Sequence, residues 1–430
     1  MKGRGYLLQR AYWRKRIDPY LTRYVIKPTI DLRGLPLVAI TGTSGKTSVT
    51  LLVERILRDA GYSTACSSSE GVMVKGLWVK RGDEAGAKGL WRASRSLGLD
   101  ALVAETARGG IARNGLGFTS CDVSVVTNVS EDHLAGGRTA TVEAMVELKS
   151  VLPRSTRRNG TTVLNLDQPL VRALAARTQA HVVFFSLAEP PDTVEDCFFL
   201  RDGMIFRKRG AAREPILSTD GIFLSHGGAV TFQVANVMAA MAVIEGLESK
   251  LPVPRSSLER TLAAFGSEPA DLPLRLQLFR YQGANVLLCA TKNPASYELE
   301  ISLIRRLVRA HGYQRVIGVV SDVGNRAEDR YRQISSAVAS FADVVVCIPP
   351  LAKYLRGRTA DEMVRLLSSE VPAEKLLRPL DPSLGGVLEH FRQAGYERTL
   401  FVAFASQHYT RETIDVILQR GEHLPLRFEP

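Results

Sequence analysis

Apolar residues come in two rhythms along this chain, and their alternation sets the order of elements. Leu37-Val38-Ala39-Ile40 is a short continuous run, followed by a glycine-containing turn and then by Val49, Leu52, Val53, Ile56 and Leu57 at helical spacing, ending at Gly61. That is a strand, a loop and a helix. Further short runs at Ala101–Ala104, Val123–Val126, Val163–Leu164 and Val182–Phe185 alternate with helical segments, the pattern of a mostly parallel sheet covered by helices. Phe198 to Lys208, turning on Asp202-Gly203, reads as a β-hairpin, and Val234 to Leu247 as a helix. Gly266-Ser267-Glu268-Pro269-Ala270-Asp271-Leu272-Pro273 is turn-rich and aperiodic, so the domain boundary is placed there. Beyond it, strands at Val286–Leu288, Val316–Val320, Val344–Ile348 and Leu400–Ala403 alternate with helices again. The predicted fold class is α/β: a basic arm over residues 1–35, a central domain with a mostly parallel sheet over 36–268, and a smaller Rossmann-like α/β domain over 269–430.

Composition changes this picture little. With 430 residues, 45% apolar and 23% charged, the chain is ordinary globular material and excludes a disordered, collagenous or disulfide-scaffold protein. Charge adds one feature. Lys and Arg exceed Asp and Glu by 12, and the first 33 residues hold nine basic side chains against Asp18 and Asp31. The arm interleaves those charges with Tyr6, Leu7, Leu8, Tyr12, Trp13, Tyr20 and Leu21, so it reads as a helix packed on its own domain or as a contact for an acidic partner or anionic surface. It carries no nucleic-acid module, and no nucleic acid is expected as a partner. Five scattered cysteines without a Cys-x-x-Cys pair argue against a zinc ribbon or disulfide framework and point to a reducing cytoplasm. No apolar run reaches the length of a membrane span.

The chemistry concentrates at Thr41-Gly42-Thr43-Ser44-Gly45-Lys46-Thr47-Ser48, between the first strand and its helix. A loop so placed aims backbone N–H groups and the positive helix end at phosphates, Lys46 reaches the outer phosphates, and the Thr47 hydroxyl suits Mg²⁺. Gly42, Thr43, Ser44, Gly45, Lys46, Thr47 and Ser48 are therefore the candidate nucleotide contacts. The fuller phosphate-loop pattern would want a glycine where Ile40 stands. Such a loop alone fits kinases, GTPases and ligases equally.

Two further segments narrow the choice. Glu105-Thr106-Ala107-Arg108-Gly109-Gly110-Ile111 continues through Gly115-Leu116-Gly117-Phe118 to Cys121-Asp122-Val123, and Thr127-Asn128-Val129-Ser130-Glu131-Asp132-His133-Leu134 is followed by Lys149. In order and spacing these resemble the Mur ligase family, whose members join an amino acid to a carboxylate using ATP, and the wording is most similar to the Mur-ligase-like half of cyanophycin synthetase. Val163-Leu164-Asn165, a helix start centred on Asn236, and Leu355-Arg356-Gly357-Arg358 with Glu362 add to the resemblance, which runs from about residue 36 to 370. It implies a Mur-ligase-like central domain and an ADP-forming carboxylate–amine ligase with ATP and Mg²⁺ as cofactors. Lys46, His133 and Lys149 would be its catalytic residues, and Thr47, Glu105, His133 and Lys149 its metal residues. Lys149 matches a lysine that many members carbamylate, and Asn236 a residue near the adenine. Read alone, a Glu at a strand end is a solvated residue or a cap, and Lys149 a surface lysine.

The second half departs from the family. Its Asp-Tyr-Ala-His-Asn-Pro-Ala stretch appears as Cys289-Ala290-Thr291-Lys292-Asn293-Pro294-Ala295, its Pro-Gly-Arg as Pro273-Leu274-Arg275, and its Gly-Asp-Arg as Gly324-Asn325-Arg326. Arg275, Lys292 and Asn293 stay as expected nucleotide contacts, while acids are missing at Cys289 and Asn325. A changed amine substrate or ribose contact is the expectation. With 35 residues before the first strand, an ATP-grasp module and a UDP-sugar-binding domain are not expected in this chain. The expected partners are an amino acid or amine and a carboxylate acceptor, an acidic peptide among the candidates, with a separate ATP-grasp or glutaminase protein, or a second copy of the chain, beside them. The alternatives are a MurT-like or poly-γ-glutamate-synthase-like subunit, and a nucleotide-binding scaffold without activity.

Overall fold

The computed structural model describes the chain outside residues 1–33, 130–140, 274, 290–293, 323, 325–327, 382, 393–394, 396–397, 405–410, 425, 427 and 429–430. The basic arm, His133, Lys292, Asn293 and Asn325 lie outside the described residues. The described residues divide into two compact units, one ending at Phe265 and the other running on from Gly266.

The first unit is built on one sheet of eleven strands: β1 (Leu37–Thr41), β2 (Thr64–Ser68), β3 (Gly71–Val74), β4 (Leu77–Arg81), β5 (Ala101–Glu105), β6 (Cys121–Val126), β7 (Thr156–Asn165), β8 (His181–Ser186), β9 (Asp196–Arg201), β10 (Met204–Arg209) and β11 (Ala212–Ser218). Their spatial order is β11-β10-β9-β8-β7-β6-β1-β5-β2-β3-β4. From β9 to β2 every neighbouring pair is parallel, and antiparallel strands extend both edges. The predicted hairpin is β9–β10, and its turn residues Asp202 (φ 50°) and Gly203 (φ 72°) both sit in the left-handed region that a two-residue turn requires. Strands β2, β3, β4 and β11 were not anticipated: β2, β4 and β11 mix polar residues in without a clean two-residue alternation, and β3 is only four residues long.

Helices α1 (Lys46–Asp59), α2 (Ala87–Ala93), α3 (Arg108–Asn114), α4 (Val142–Arg154), α5 (Pro169–Arg172), α6 (Thr231–Leu247) and α7 (Arg255–Ala264) complete the unit. Chain order makes the important point: α1 carries the chain from β1 past β5 to β2, whereas α3 carries it from β5 back past β1 to β6. The direction of winding thus reverses around β1. In α/β sheets ligands bind outside the carboxyl ends of the strands at such a reversal. Helix α6 is buried nearly all round, from Val234 to Leu247, and packs on α1 and on β6 to β9.

The second unit has a seven-stranded sheet in the order β16-β15-β14-β17-β13-β12-β18: β12 (Arg275–Tyr281), β13 (Ala284–Cys289), β14 (Arg315–Val320), β15 (Val344–Cys347), β16 (Leu376–Leu377), β17 (Thr399–Ala403) and β18 (Glu422–Leu424). The strands from β16 to β13 are parallel, and β12 and β18 antiparallel. Helices α8 (Pro294–His311) and α9 (Glu328–Ala339) connect its strands. Its core gathers Val286, Leu288, Ile317, Val319, Val346, Phe401 and Ala403 from the sheet. No described helix of either unit is long and apolar enough to cross a membrane.

Candidate active site

Strand β1 ends at Thr41 and α1 begins at Lys46, so the phosphate loop turns within four residues at the carboxyl edge of the sheet. Two glycines make that turn. Gly45 has φ 81°, a left-handed conformation, and a Cβ there would fall on the Asn236 amide oxygen; a Cβ on Gly42 would fall on the Thr127 hydroxyl. The loop is held from the next strand outward. The Asn128 side-chain oxygen accepts from the Thr43 N–H (3.2 Å) and the Ser44 N–H (2.8 Å), and its amide donates to the Ser44 carbonyl (3.1 Å). The Thr127 hydroxyl donates to the same carbonyl at 2.6 Å. Lys46 folds back to donate from Nζ to the Thr43 carbonyl at 2.8 Å. The loop is therefore braced by the chain's own hydrogen bonds.

Glu105 is the last residue of β5 and only 2% exposed. Its Oε2 accepts from the Thr47 hydroxyl at 2.9 Å and from the Ser69 N–H at 3.0 Å, while the Ser69 hydroxyl lies 3.0 Å from Thr47 Oγ1. A carboxylate and two hydroxyls thus converge beside the phosphate loop, a set of hard oxygen donors of the kind Mg²⁺ or Mn²⁺ takes. Among the described residues no three His, Cys, Asp or Glu side chains cluster to make a metal site by themselves.

The remaining predicted residues are placed unevenly. Thr47, Ser48 and Glu105 are buried together with the loop. Lys149 is no surface lysine: it is 1% exposed on α4, a helix that packs on β6 and β1. Asn236 does not start a helix, because α6 begins at Thr231; the residue lies in the second turn, where it donates to Gln233 Oε1 at 2.8 Å and faces Gly45. Arg275 opens β12 opposite Cys289 in the second unit, and its Nη1 donates to the Pro273 carbonyl at 2.7 Å. His133, Lys292 and Asn293 lie outside the described residues. Sequence reasoning missed the work of Asn128 and Ser69. Asn128 carried a signal, as the second residue after a buried strand next to the loop; Ser69 carried none, being one serine in the run Ser67-Ser68-Ser69.

A loop of this shape at a winding reversal, facing a strand-end carboxylate, suits a nucleotide, and comparison with known proteins narrows the family. Residues 40–244 match the Mur ligase middle domain. The chain is 30% identical over 371 residues to cyanophycin synthetase of Synechocystis sp., an alignment covering 82% of this chain and 41% of that protein. It thus spans about two fifths of the length of these curated relatives. It is also 32% identical over 213 residues to the UDP-N-acetylmuramoylalanine–D-glutamate ligase of Symbiobacterium thermophilum, covering 50% of this chain and 41% of that one. In fold, a bifunctional folylpolyglutamate synthase/dihydrofolate synthase, solved with Mn, AMPPNP and L-glutamate bound, superposes with a TM-score of 0.66 at 17% identity over 96% of this chain and 97% of that chain. The fold shared with that structure therefore covers both units.

Proposed function

We propose that the protein is an ATP- and Mg²⁺-dependent ligase that activates a carboxylate as an acyl phosphate and joins it to an amino acid or other amine, releasing ADP and phosphate. The observation that carries this reading is the meeting of Thr47 and Glu105 at 2.9 Å beside the phosphate loop. The sequence similarity to two enzymes named as a synthetase and a ligase supports it.

The divalent ion supplies charge to neutralise the transferring phosphoryl group. Thr47 and Glu105 would hold it, with His133 assigned as a further ligand. The loop N–H groups bind the phosphates, and Lys46 swings from the Thr43 carbonyl to the outer phosphate oxygens. Asn236 keeps Gly45 in its turn, and we assign it to the nucleotide. We assign Arg275, Lys292 and Asn293 to the nucleotide as well. We assign Lys149, buried on α4, as a carbamylated lysine, a change that would turn a cation into a further anionic metal ligand. The amine then attacks the acyl phosphate, and no side-chain nucleophile is needed. The acceptor is an acidic peptide, drawn by a net charge of +12, in a reducing cytoplasm. Alternating polymer synthesis would call on a separate ATP-grasp partner.

The test is phosphate release from Mg·ATP across the twenty amino acids, with and without acidic peptides, reading product masses in the same wells. Release that needs both substrates, with a product equal to their sum less one water, supports the ligase. Lys46→Ala should lower that release by about three orders of magnitude or more while leaving the fold intact. Full activity in that variant would overturn the assignment.

A further inference from the structure

Thr127 and Asn128, which hold the phosphate loop, belong to no strand: β6 ends at Val126, and the residues after it run on beside the loop. Their groups on the loop side are already committed. The Thr127 hydroxyl and the Asn128 amide both donate to the Ser44 carbonyl, and the Asn128 main-chain carbonyl accepts from the Thr43 N–H at 2.9 Å. The ladder to β7 is also over, its last pair being Val126 with Leu164. That leaves the Thr127 carbonyl and the Val129 N–H, on residues 2% and 8% exposed, needing partners that no strand supplies.

Two side chains supply them. Asn165, the last residue of β7, donates from Nδ2 to the Thr127 carbonyl at 2.9 Å, while its Oδ1 accepts from the Asp167 N–H at 2.9 Å. Both ends of that amide are in use, which sets its orientation. Gln168 stands at the N-cap of α5, yet its side chain does not cap the helix; Oε1 turns instead to accept from the Val129 N–H at 2.7 Å. The bend carrying both amides is pinned to β8, because Asp167 accepts from the Ser186 hydroxyl at 2.6 Å and from the Leu187 N–H at 2.9 Å. Residues 127–129 are thus a strut with two working sides, bonded to the phosphate loop on one and to the end of β7 on the other.

We propose that Asn165 and Gln168 are positioning residues for the phosphate loop: they fix the strut, and through it the aim of the Thr43 and Ser44 N–H groups. The proposal rests on the ligase reading only for its consequence, nucleotide affinity. The placement of the loop N–H groups can be read without nucleotide.

The test uses the full-length wild type, Gln168→Met, Gln168→Glu and Asn165→Leu. Amide hydrogen exchange is followed without nucleotide in peptides containing Thr43 and Ser44, in peptides containing Val129 and in peptides from β12 and β13, and Mg·ADP affinity is measured by calorimetry. Gln168→Met and Asn165→Leu should each speed exchange at Thr43 and Ser44 by about tenfold, leave β12 and β13 unchanged, and weaken Mg·ADP several-fold. Gln168→Glu keeps an acceptor for the Val129 N–H and should return loop exchange to within about twofold of wild type. A bond that serves only its own corner would speed exchange at Val129 alone, with Thr43, Ser44 and Mg·ADP affinity as in wild type, and that result overturns the proposal. Faster exchange spread through β12 and β13 as well would mark general loosening and overturn it too. Should Asn165→Leu not fold, Gln168→Met decides alone. Faster loop exchange in a protein whose wild type binds no Mg·ADP would uphold the positioning and sink the ligase reading.

Discussion

Gly45 and Glu105 set the site from opposite sides, and each answers to a different substitution. At Gly45 the left-handed φ of 81° and the Asn236 oxygen both exclude a side chain. Gly45→Ala should cost about 1–2 kcal/mol of stability and weaken ATP at least tenfold, checked by urea unfolding and calorimetry on one preparation. Glu105 answers through charge. Glu105→Gln keeps an oxygen to accept from Thr47 and Ser69 but removes the anion a divalent ion would neutralise. Its Mg²⁺ requirement, read as the concentration giving half-maximal phosphate release, should rise by about an order of magnitude with the fold unchanged. The phosphate loop was legible in the sequence because its function depends on neighbours in the chain. The bracing by Asn128 was not, since it needs residues 84 and 85 positions apart to meet.

At the scale of elements, the end of the sheet opposite the phosphate loop is fastened by one carboxylate. Asp122, 3% exposed at the start of β6, accepts from the Leu37 N–H (2.9 Å) and from Arg157 Nη1 (2.6 Å), and also pairs with Lys250. It joins the first residue of β1, the start of β7 and the turn after α6. Asp122→Ala would leave a buried N–H without an acceptor and should cost roughly 2–3 kcal/mol, less than a fully buried pair because Arg157 and Lys250 reach solvent. ATP affinity should not change, since the site lies at the other edge. The sequence displayed Asp122 inside a recognisable run without showing this work, for the same reason as Asn128: its partners are far away in the chain. The central strands were legible because they are continuous apolar runs with no competing helical period. Asn236 was taken for a helix start because asparagine favours caps; burial of the whole of α6 overrode that local preference.

Across the whole molecule all five thiols are buried and none is joined in a disulfide. Burial pushes Cys121, Cys197 and Cys347 up to about 12, and Cys66 and Cys289 well above the ordinary range. A thiol held neutral in the fold contributes its full stability below the unfolded value near 9, and loses it as pH rises through the folded one. Stability should therefore be flat in these groups up to about pH 9 and fall above it, on the order of 1 kcal/mol per thiol at pH 10. Urea midpoints at pH 8 and pH 10 check the sign. The same burial has a practical side. A maleimide dye or nitroxide at neutral pH will find no native thiol to modify, so a cysteine introduced on the surface of each unit takes all the label. The distance between the two labels, followed as ATP is added, then reports any domain motion without first stripping the chain of its own cysteines.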